Sequence, residues 1–464
     1  MRAAEAKTRT IRQKLPVILA LAYPAMIENT LQTVVGFVDT LFVARLGLNE
    51  VAAVAAANAV LAVYIAVFMA LGVGTSSLIA RSMGAKDISR AKSIARQSTV
   101  LSALLGLLFG VITLFFGEDL LRLIGAEAEV LTDAVAYFRI VAVPSIFLSL
   151  MLAFGSILRA AGDTKTPMKV SWWMNVLHIG LDYVFIFGLL GIPGLGVAGA
   201  AWATVLVRAI GSLALFLAIR KSAVAFSIMG PSSRTDSSAI VKLSAPSMIE
   251  RLIMRLGQVL YFGLILKIGA DTYAAHSIAG NIETFSYMPG YGLAIAAATL
   301  VGQSVGGNRL QEAYQYGVIT AGIGILLMSF IGVLLFFLSP WLASWFTTEP
   351  QAIDKVVTAL RIDAFAQPAL AAGLVLAGAL QGAGDTKSPL YSTAIGMWVI
   401  RVPGVYILGI HLKMGIAGVW IAIAIDQYVR AGYLYYRFRQ SANGKPGESA
   451  SLGGSSQQQN SSSP

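Results

Sequence analysis

Long apolar runs alternate with short polar stretches along almost the whole chain. Polar residues interrupt the apolar pattern roughly every 30 to 40 residues, and each run is long enough to cross about 30 Å of hydrocarbon as a helix. The predicted spans are residues 15–44, 50–80, 97–117, 132–158, 168–190, 196–219, 239–266, 272–304, 313–338, 355–380, 389–410 and 415–436. The pattern therefore predicts an all-α polytopic membrane protein with twelve transmembrane helices.

Composition supports this class and removes others. The chain has 464 residues, of which 56% are hydrophobic and 12% charged, and its mean hydropathy of +0.73 excludes a soluble globular protein. There is no cysteine, so disulfides and thiolate metal sites are excluded. We expect the first span to be retained, because it is too long for the core of a signal peptide.

The net charge is +11, and the basic residues that produce it are distributed along the chain as the positive-inside rule predicts. If both termini are cytoplasmic, the inner segments carry twenty-two Lys and Arg residues, against five in the outer segments. The five outer residues are Arg45, Arg122, Lys267, Lys355 and Lys413. We therefore expect a multi-pass protein of the cell membrane with both termini in the cytoplasm, surrounded by the lipid bilayer and without a nucleic-acid partner.

An internal repeat divides the chain. The segment Pro24–Glu28 recurs as Pro246–Glu250, and Ala161–Lys165 recurs as Ala383–Lys387, both at an offset of 222 residues. Each half holds an even number of spans, so the two six-helix lobes are parallel repeats related by a pseudo-two-fold axis along the membrane normal. Such repeats bind substrate between them near the midplane. In the repeated loops, Asp and Thr are expected to cap the following helix.

The repeat sets the expected domain organisation. Gly230-Pro231 and several serines make the segment between the lobes a flexible connection, and the Ser-, Gly- and Gln-rich C-terminus is expected to be disordered. The units are a basic cytoplasmic N-terminus (1–14), an N-lobe (15–220), a cytoplasmic linker (221–238), a C-lobe (239–438) and a disordered tail (439–464).

The first span carries two acids, Glu28 and Asp39, where a bilayer-spanning helix ordinarily carries none. A charge near mid-bilayer costs about 3 kcal/mol or more, so its presence indicates function. The acids lie about 20° apart around the helix and about 16 Å apart along it, and therefore share a face. Pro24 precedes Glu28 by one turn and provides a point where the helix can bend.

On these residues the chain resembles the multidrug and toxic compound extrusion (MATE) family, nearest its DinF-like and archaeal branch. The resemblance is carried by Pro24, Gly36–Thr40, Gly84–Asp87, the paired Gly-Asp-Thr-Lys loops and Leu181–Tyr183, and it covers about residues 15–439. It implies a V-shaped, alternating-access exporter of small organic compounds, often cationic or amphipathic. Such an exporter is driven by H⁺ and/or Na⁺ and needs no other cofactor. We expect a monomer without enzymatic activity.

The resemblance also implies a cation or proton site at Asp39 and Asp182 in the N-lobe. Asn175, His178 and Asp182 fall within about 40° of one another on the fifth span, and Thr204 on the sixth could add an oxygen. Relatives often carry asparagine at the position of His178 and an aromatic at that of Val35. Because Na⁺ prefers oxygen ligands, His178 favours proton coupling, although Na⁺ at Asp39 and Asp182 stays open. Protonation is expected to relieve repulsion between the acids, bend the first helix at Pro24 and expel substrate.

Other acids in the spans form a second set of candidates. Another MATE branch uses acids of the seventh and tenth spans, to which Glu250 and Asp363 correspond by helix, and Glu283 lies in the eighth span. Basic residues nearby can pair with these acids, so the C-lobe ranks second. Two of the N-lobe candidates have an alternative, structural interpretation. Glu28 can have a structural role common to both halves, because Glu250 is its counterpart in the repeat, and His178 can be a core histidine instead of a ligand. Aromatic and methionine positions, Tyr287, Met288 and Tyr291, form either a substrate surface or packing.

Two other functions compete with export. A lipid-linked saccharide flippase of the same superfamily should line its cleft with basic residues to hold a pyrophosphate. A membrane-embedded enzyme should carry a metal or nucleophile motif on its spans, but the only histidines are His178, His276 and His411. The sequence also has no ATP-binding loop of the Gly-x-x-x-x-Gly-Lys-Ser/Thr type, so ATP is not the expected energy source.

Overall fold

The computed structural model describes residues 11–189, 192–227 and 234–442. This part of the chain forms thirteen helices and one short hairpin of β1 (Gly188–Leu189) with β2 (Ile192–Pro193). The helices are α1 (Ile11–Ala44), α2 (Leu48–Gly84), α3 (Ile88–Leu123), α4 (Ala128–Ala142), α5 (Ser145–Ala160), α6 (Lys165–Phe187), α7 (Val197–Arg220), α8 (Arg234–Ile268), α9 (Ala270–Gly306), α10 (Leu310–Ser344), α11 (Pro350–Ala383), α12 (Lys387–His411) and α13 (Gly415–Ala442). Most of the predicted N-terminal segment and tail, and residues 228–233 of the linker, lie outside the described residues.

Within the described residues the helices form twelve segments, the number that the hydrophobic pattern predicted. Helices α4 and α5 form one segment bent by 49°. Pro144 lies at this bend, where its missing N–H interrupts the helix. By length and hydropathy, seven helices of the described chain could each cross a membrane, or eight spans if α4 and α5 count as one. The other four segments, α1, α8, α9 and α13, do not meet the hydropathy criterion, but with 28 to 37 residues each is long enough to cross a bilayer. The all-α, twelve-span prediction is confirmed.

The internal repeat is visible in the helix boundaries. Helices α2 and α9 both have 37 residues, and each begins and ends at positions 222 residues apart in the chain. Each follows a glycine with an extended backbone, Gly47 or Gly269. The first lobe therefore comprises α1–α7 and the second lobe α8–α13.

The lobes meet close to the face where α1 begins and α13 ends, which we call the terminal face. There Gly84 of α2 packs directly on the backbone of Gln303, and Gly306 of α9 packs on that of Arg81. The first half of α1 also crosses to the second lobe, where Ile18 belongs to a core cluster formed mainly by α9, α10 and α11. These contacts hold the lobes together at the terminal face, and a cavity lies between the lobes away from this face.

The repeated loops cap their helices through aspartate. Asp163 Oδ1 accepts a hydrogen bond from the Thr166 amide at 2.9 Å, and Asp385 Oδ1 accepts one from the Ser388 amide at the same distance. The prediction that threonine contributes to capping is wrong, because neither Thr164 nor Thr386 makes a side-chain capping bond. In each copy of the loop, the aspartate carboxylate alone caps the helix that follows.

Candidate functional site

Two carboxylates and one imidazole meet inside the first lobe. His178 Nδ1 lies 3.8 Å from Asp39 Oδ2, and His178 Nε2 lies 3.6 Å from Asp182 Oδ2. One ligand atom from each residue falls within 4.8 Å of the others. The two acids predicted on separate spans are therefore neighbours, with the histidine beside both. We call Asp39, His178 and Asp182 the acid–histidine cluster.

Helix periodicity and aromatic packing assemble this cluster. His178 and Asp182 are one turn apart on α6 and so share a face. Asp39 comes from the last part of α1, where Phe42 makes edge-to-face contacts with Tyr183 and Phe187 of α6. These contacts hold the two helices against each other beside the carboxylates.

The cluster leaves carboxylate oxygens without hydrogen-bond donors. Among the described residues, no donor reaches Asp39 Oδ1 or either carboxylate oxygen of Asp182. The Asp182 side chain is 1% exposed and that of His178 is 12% exposed, whereas that of Asp39 is 33% exposed. A buried carboxylate that lacks donors is unfavourable when charged, and a second one beside it increases the cost. A proton or another cation would stabilise this arrangement.

Neighbouring helices add polar groups, two of which the sequence analysis missed. Thr204 of α7 lies with its Oγ1 3.3 Å from His178 Nε2, as the candidate set anticipated. The buried Tyr137 of α4 interacts with Thr204, and Arg208 lies one turn beyond Thr204 on α7. Arg208 could have been found by the rule that identified Asp39, because it is a charge in the middle of an apolar span.

The remaining N-lobe candidates lie around the cluster or apart from it. Asn175 is one turn from His178 on α6, and its buried Nδ2 has no acceptor among the described residues. Glu28 is not part of the cluster, because its Oε1 pairs with Arg159 Nη1 at 2.8 Å and the pair lines the cavity between the lobes. Pro24 lies inside α1, one turn before Glu28.

The cavity between the lobes has a volume of about 740 Å³ and both lobes line it. Tyr287 and Tyr291 lie on its wall with ring centroids 5.6 Å apart, whereas Met288 is not among the described lining residues. The charged lining residues are Glu28, Glu250, Glu283, Arg159, Arg251, Arg401 and Arg430. The wall is therefore aromatic in part and mixed in charge. The acid–histidine cluster does not line this cavity.

The C-lobe acids are neutralised to different degrees. Asp426 is fully buried and pairs with Arg401 at 2.6 Å. Glu250 Oε1 accepts a hydrogen bond from Thr393, and Asp363 Oδ2 accepts one from Gln367 at 2.6 Å. Glu283 lines the cavity and interacts electrostatically with Arg401 and Asp363. Glu250 and Asp426 therefore have local partners, whereas the buried Asp363 keeps Oδ1 without a donor among the described residues.

Comparison with known proteins gives the family. The MatE family model matches residues 24–184 and 246–407, once in each lobe. The chain is 32% identical over 419 residues to the probable multidrug resistance protein NorM of Thermotoga maritima, covering 89% of this chain and 90% of that protein. It is 26% identical over 446 residues to the multidrug resistance protein PmpM of Pseudomonas aeruginosa, covering 93% and 92%.

A solved structure agrees with these sequence relatives. The outward-facing structure of a multidrug resistance MATE family transporter of the MOP superfamily superposes with a TM-score of 0.88 at 27% identity, covering 94% of this chain and 97% of that one. Because the family model matches both lobes and the likeness covers nearly the whole chain, this protein belongs to the MATE (MatE) family of membrane transporters.

Proposed function

We propose that this protein is a secondary active multidrug exporter of the cell membrane. It exchanges small organic compounds, often cationic or amphipathic, for H⁺ and/or Na⁺ by alternating access, with both termini in the cytoplasm. Its relatives support this proposal because they are named as multidrug resistance proteins. In this proposal the protein works as a monomer, performs no enzymatic reaction and needs no cofactor besides the coupling ion.

One observation carries the proposal. Asp39 and Asp182 meet beside His178 with unpaired oxygens, and they lie apart from the cavity between the lobes. Ion and substrate therefore have separate places, and α1 contributes to both through Asp39 and Glu28. A change in charge at Asp39 can reach the cavity wall along this helix.

The proposed cycle starts with substrate in the cavity. A cation bound between Asp39 and Asp182 removes their repulsion and lets the two acids approach. Helix α1 then bends at Pro24, where the backbone lacks one hydrogen bond. The bend moves Glu28 and the adjoining wall of the cavity, which weakens substrate binding.

The residues present fit a proton better than a sodium ion. The two carboxylates and Thr204 supply oxygen atoms, but the imidazole nitrogens of His178 lie within 3.8 Å of both carboxylates. Na⁺ prefers oxygen ligands, whereas a proton needs only one carboxylate oxygen. We therefore propose H⁺ as the principal coupling ion and the C-lobe set Glu250, Glu283 and Asp363 as secondary.

Liposomes that contain the purified protein test this function. We expect an inward-directed proton gradient to drive export of ethidium by the wild type, and Asp39→Asn and Asp182→Asn to abolish the gradient-driven part. Asp119→Asn is the matched control, since Asp119 is an exposed acid of the same lobe. Normal gradient-driven export by both cluster variants would overturn the N-lobe mechanism.

A lipid-linked saccharide flippase is the second candidate, because four arginines line the cavity. Three glutamates on the same wall oppose this function, since they would repel a pyrophosphate. Translocation of a fluorescent polyprenyl pyrophosphate in the same liposomes, together with absence of ethidium export, would favour the flippase.

A further inference from the structure

An arginine with a partly buried side chain lies beside the acid–histidine cluster and has no role in the proposed cycle. Arg208 is near the middle of α7, the 24-residue helix that also carries Thr204. Its Nη1 is buried and finds no acceptor among the residues that the structure describes. Its guanidinium interacts electrostatically with Asp39, Tyr137 and His178.

A guanidinium nitrogen that is buried without an acceptor, as Arg208 Nη1 is within the described part of the chain, is costly. Taking this end of the guanidinium out of water is unfavourable unless an opposite charge compensates it. The opposite charge that interacts with Arg208 is Asp39, whose Oδ1 lacks a donor among the described residues, and Asp182 beside it lacks donors on both oxygens. The arginine and the acids therefore stabilise one another by charge, without the close pairing that would fix their geometry.

We propose that Arg208 is a resident counter-cation that limits the N-lobe site to one exchangeable monovalent cation. This inference rests on the proposed function of the site. With both acids ionised and His178 neutral, the site carries two negative charges and the positive charge of Arg208. One H⁺ or one Na⁺ makes it neutral. A second cation, or a divalent ion, would leave an excess positive charge in a low-dielectric lobe.

The groups that face the site from each surrounding helix support this count. Helix α1 contributes Asp39, α4 contributes the hydroxyl of Tyr137, and α6 contributes His178 and Asp182. Helix α7 contributes Arg208 itself. Arg208 is thus the one permanently charged cation in this set, because an arginine stays protonated in proteins.

Electrogenicity of exchange measures the number of cations directly. Ethidium is a monovalent cation, so its exchange for one cation moves no net charge. We expect ethidium export by the wild type, driven by a pH gradient, to be independent of a membrane potential set with potassium and valinomycin. In Arg208→Gln the two carboxylates of the site can each be neutralised by a cation. We therefore expect this variant to exchange about two cations for each ethidium, so that its transport becomes electrogenic. Arg208→Lys should behave as the wild type.

Binding of Mn²⁺ supplies a readout that does not depend on transport. Two carboxylates and an imidazole are suitable ligands for this ion once the arginine charge is gone. We expect electron paramagnetic resonance to detect Mn²⁺ bound to Arg208→Gln and not to the wild type or to Arg122→Gln. Arg122 is the matched control, because it is an exposed arginine of the same lobe in a surface ion pair with Glu118.

The outcomes separate this inference from the proposed function. If Asp39→Asn and Asp182→Asn export normally, the N-lobe site does not drive transport and the proposed function fails. If those variants are inactive but wild-type exchange is electrogenic, Arg208 does not set the number of cations. The wild-type measurement therefore decides even if Arg208→Gln does not fold. An Arg208→Gln protein that folds, exchanges electroneutrally and binds no Mn²⁺ also overturns the inference.

Discussion

Glu28 and Arg159 form an ion pair on the wall of the central cavity, with 2.8 Å between Oε1 and Nη1. The pair joins α1 to α5 one turn after Pro24, and the Arg159 carbonyl accepts a hydrogen bond from Thr299 of the second lobe at 3.2 Å. Arg159 therefore touches the helix that is proposed to bend and the opposite lobe at once. The pair is a structural connection on the path from the acid–histidine cluster to the cavity.

Removing Arg159 should destabilise the first lobe. In Arg159→Met the carboxylate of Glu28, 9% exposed in the pair, loses its counter-ion. Loss of one partner of a buried pair costs about 3–5 kcal/mol, and we expect the lower end because the pair borders a cavity. A lower Tm in detergent measures the effect, and the double variant Glu28→Gln/Arg159→Met should recover part of it. Arg122→Gln breaks an exposed pair and should change stability by less than about 1 kcal/mol. An equal loss in both arginine variants would contradict the assignment.

The same pair shows where the repeat helped prediction and where it did not. The offset of 222 residues predicted two equivalent six-helix lobes, and α2 and α9 agree with it to the residue. It also suggested one shared role for Glu28 and Glu250. The position that corresponds to Arg159 is Gln381, so Glu250 has no equivalent ion pair within the described part of the chain and accepts a hydrogen bond from Thr393 instead. A repeat fixes backbone geometry, whereas side-chain partners can diverge in each copy.

The sequence of each single span was enough to predict which residues form the candidate site, but not how residues from different spans meet. Asp39 and Asp182 stand out as charges in apolar runs, and helix periodicity places His178 beside Asp182. Their approach across α1 and α6 depends on packing of Phe42 against Tyr183 and Phe187, which no spacing along the chain encodes. Pairing partners such as Arg159 for Glu28 are likewise set by tertiary packing.

Close packing of the lobes at the terminal face gives a prediction about conformation. A Cβ on Gly84 would lie 1.8 Å from the Gln303 carbonyl oxygen, so Gly84→Ala must separate α2 from α9. We expect the variant to favour conformations with this face open. Because the chain has no cysteine, a single Ser304→Cys, at a position 2% exposed, reports opening through its rate of maleimide labelling. Labelling should be faster in Gly84→Ala than in Gly322→Ala, whose new Cβ would meet no atom within 4 Å. Equal rates would show that this contact does not hold the lobes together.

Stiffening α1 should separate substrate binding from export. Pro24→Ala restores a backbone hydrogen bond inside α1 and favours the straight helix by up to about 3 kcal/mol. We expect ethidium to bind with nearly unchanged affinity while its export slows strongly, measured by fluorescence anisotropy and liposome flux. Pro16→Ala is the control, since Pro16 is the other proline inside α1 and lies nearer its start. Equal slowing in both variants would show that bending at Pro24 is not specifically required.

The identity of the side chain at position 178 should decide the coupling ion. His178 lies 3.8 Å from an oxygen of Asp39 and 3.6 Å from one of Asp182, so His178→Asn can place an amide oxygen where the imidazole stands. Three kinds of oxygen ligand, carboxylate, amide and the Thr204 hydroxyl, then suit Na⁺. We expect an inward sodium gradient at constant pH to drive ethidium export by His178→Asn but not by the wild type or by His411→Asn, an exposed histidine at the end of α12. Sodium-driven export by the wild type would show that the imidazole does not exclude Na⁺. If a folded His178→Asn shows no sodium-driven export, groups other than the imidazole, Arg208 first among them, exclude Na⁺ from the site.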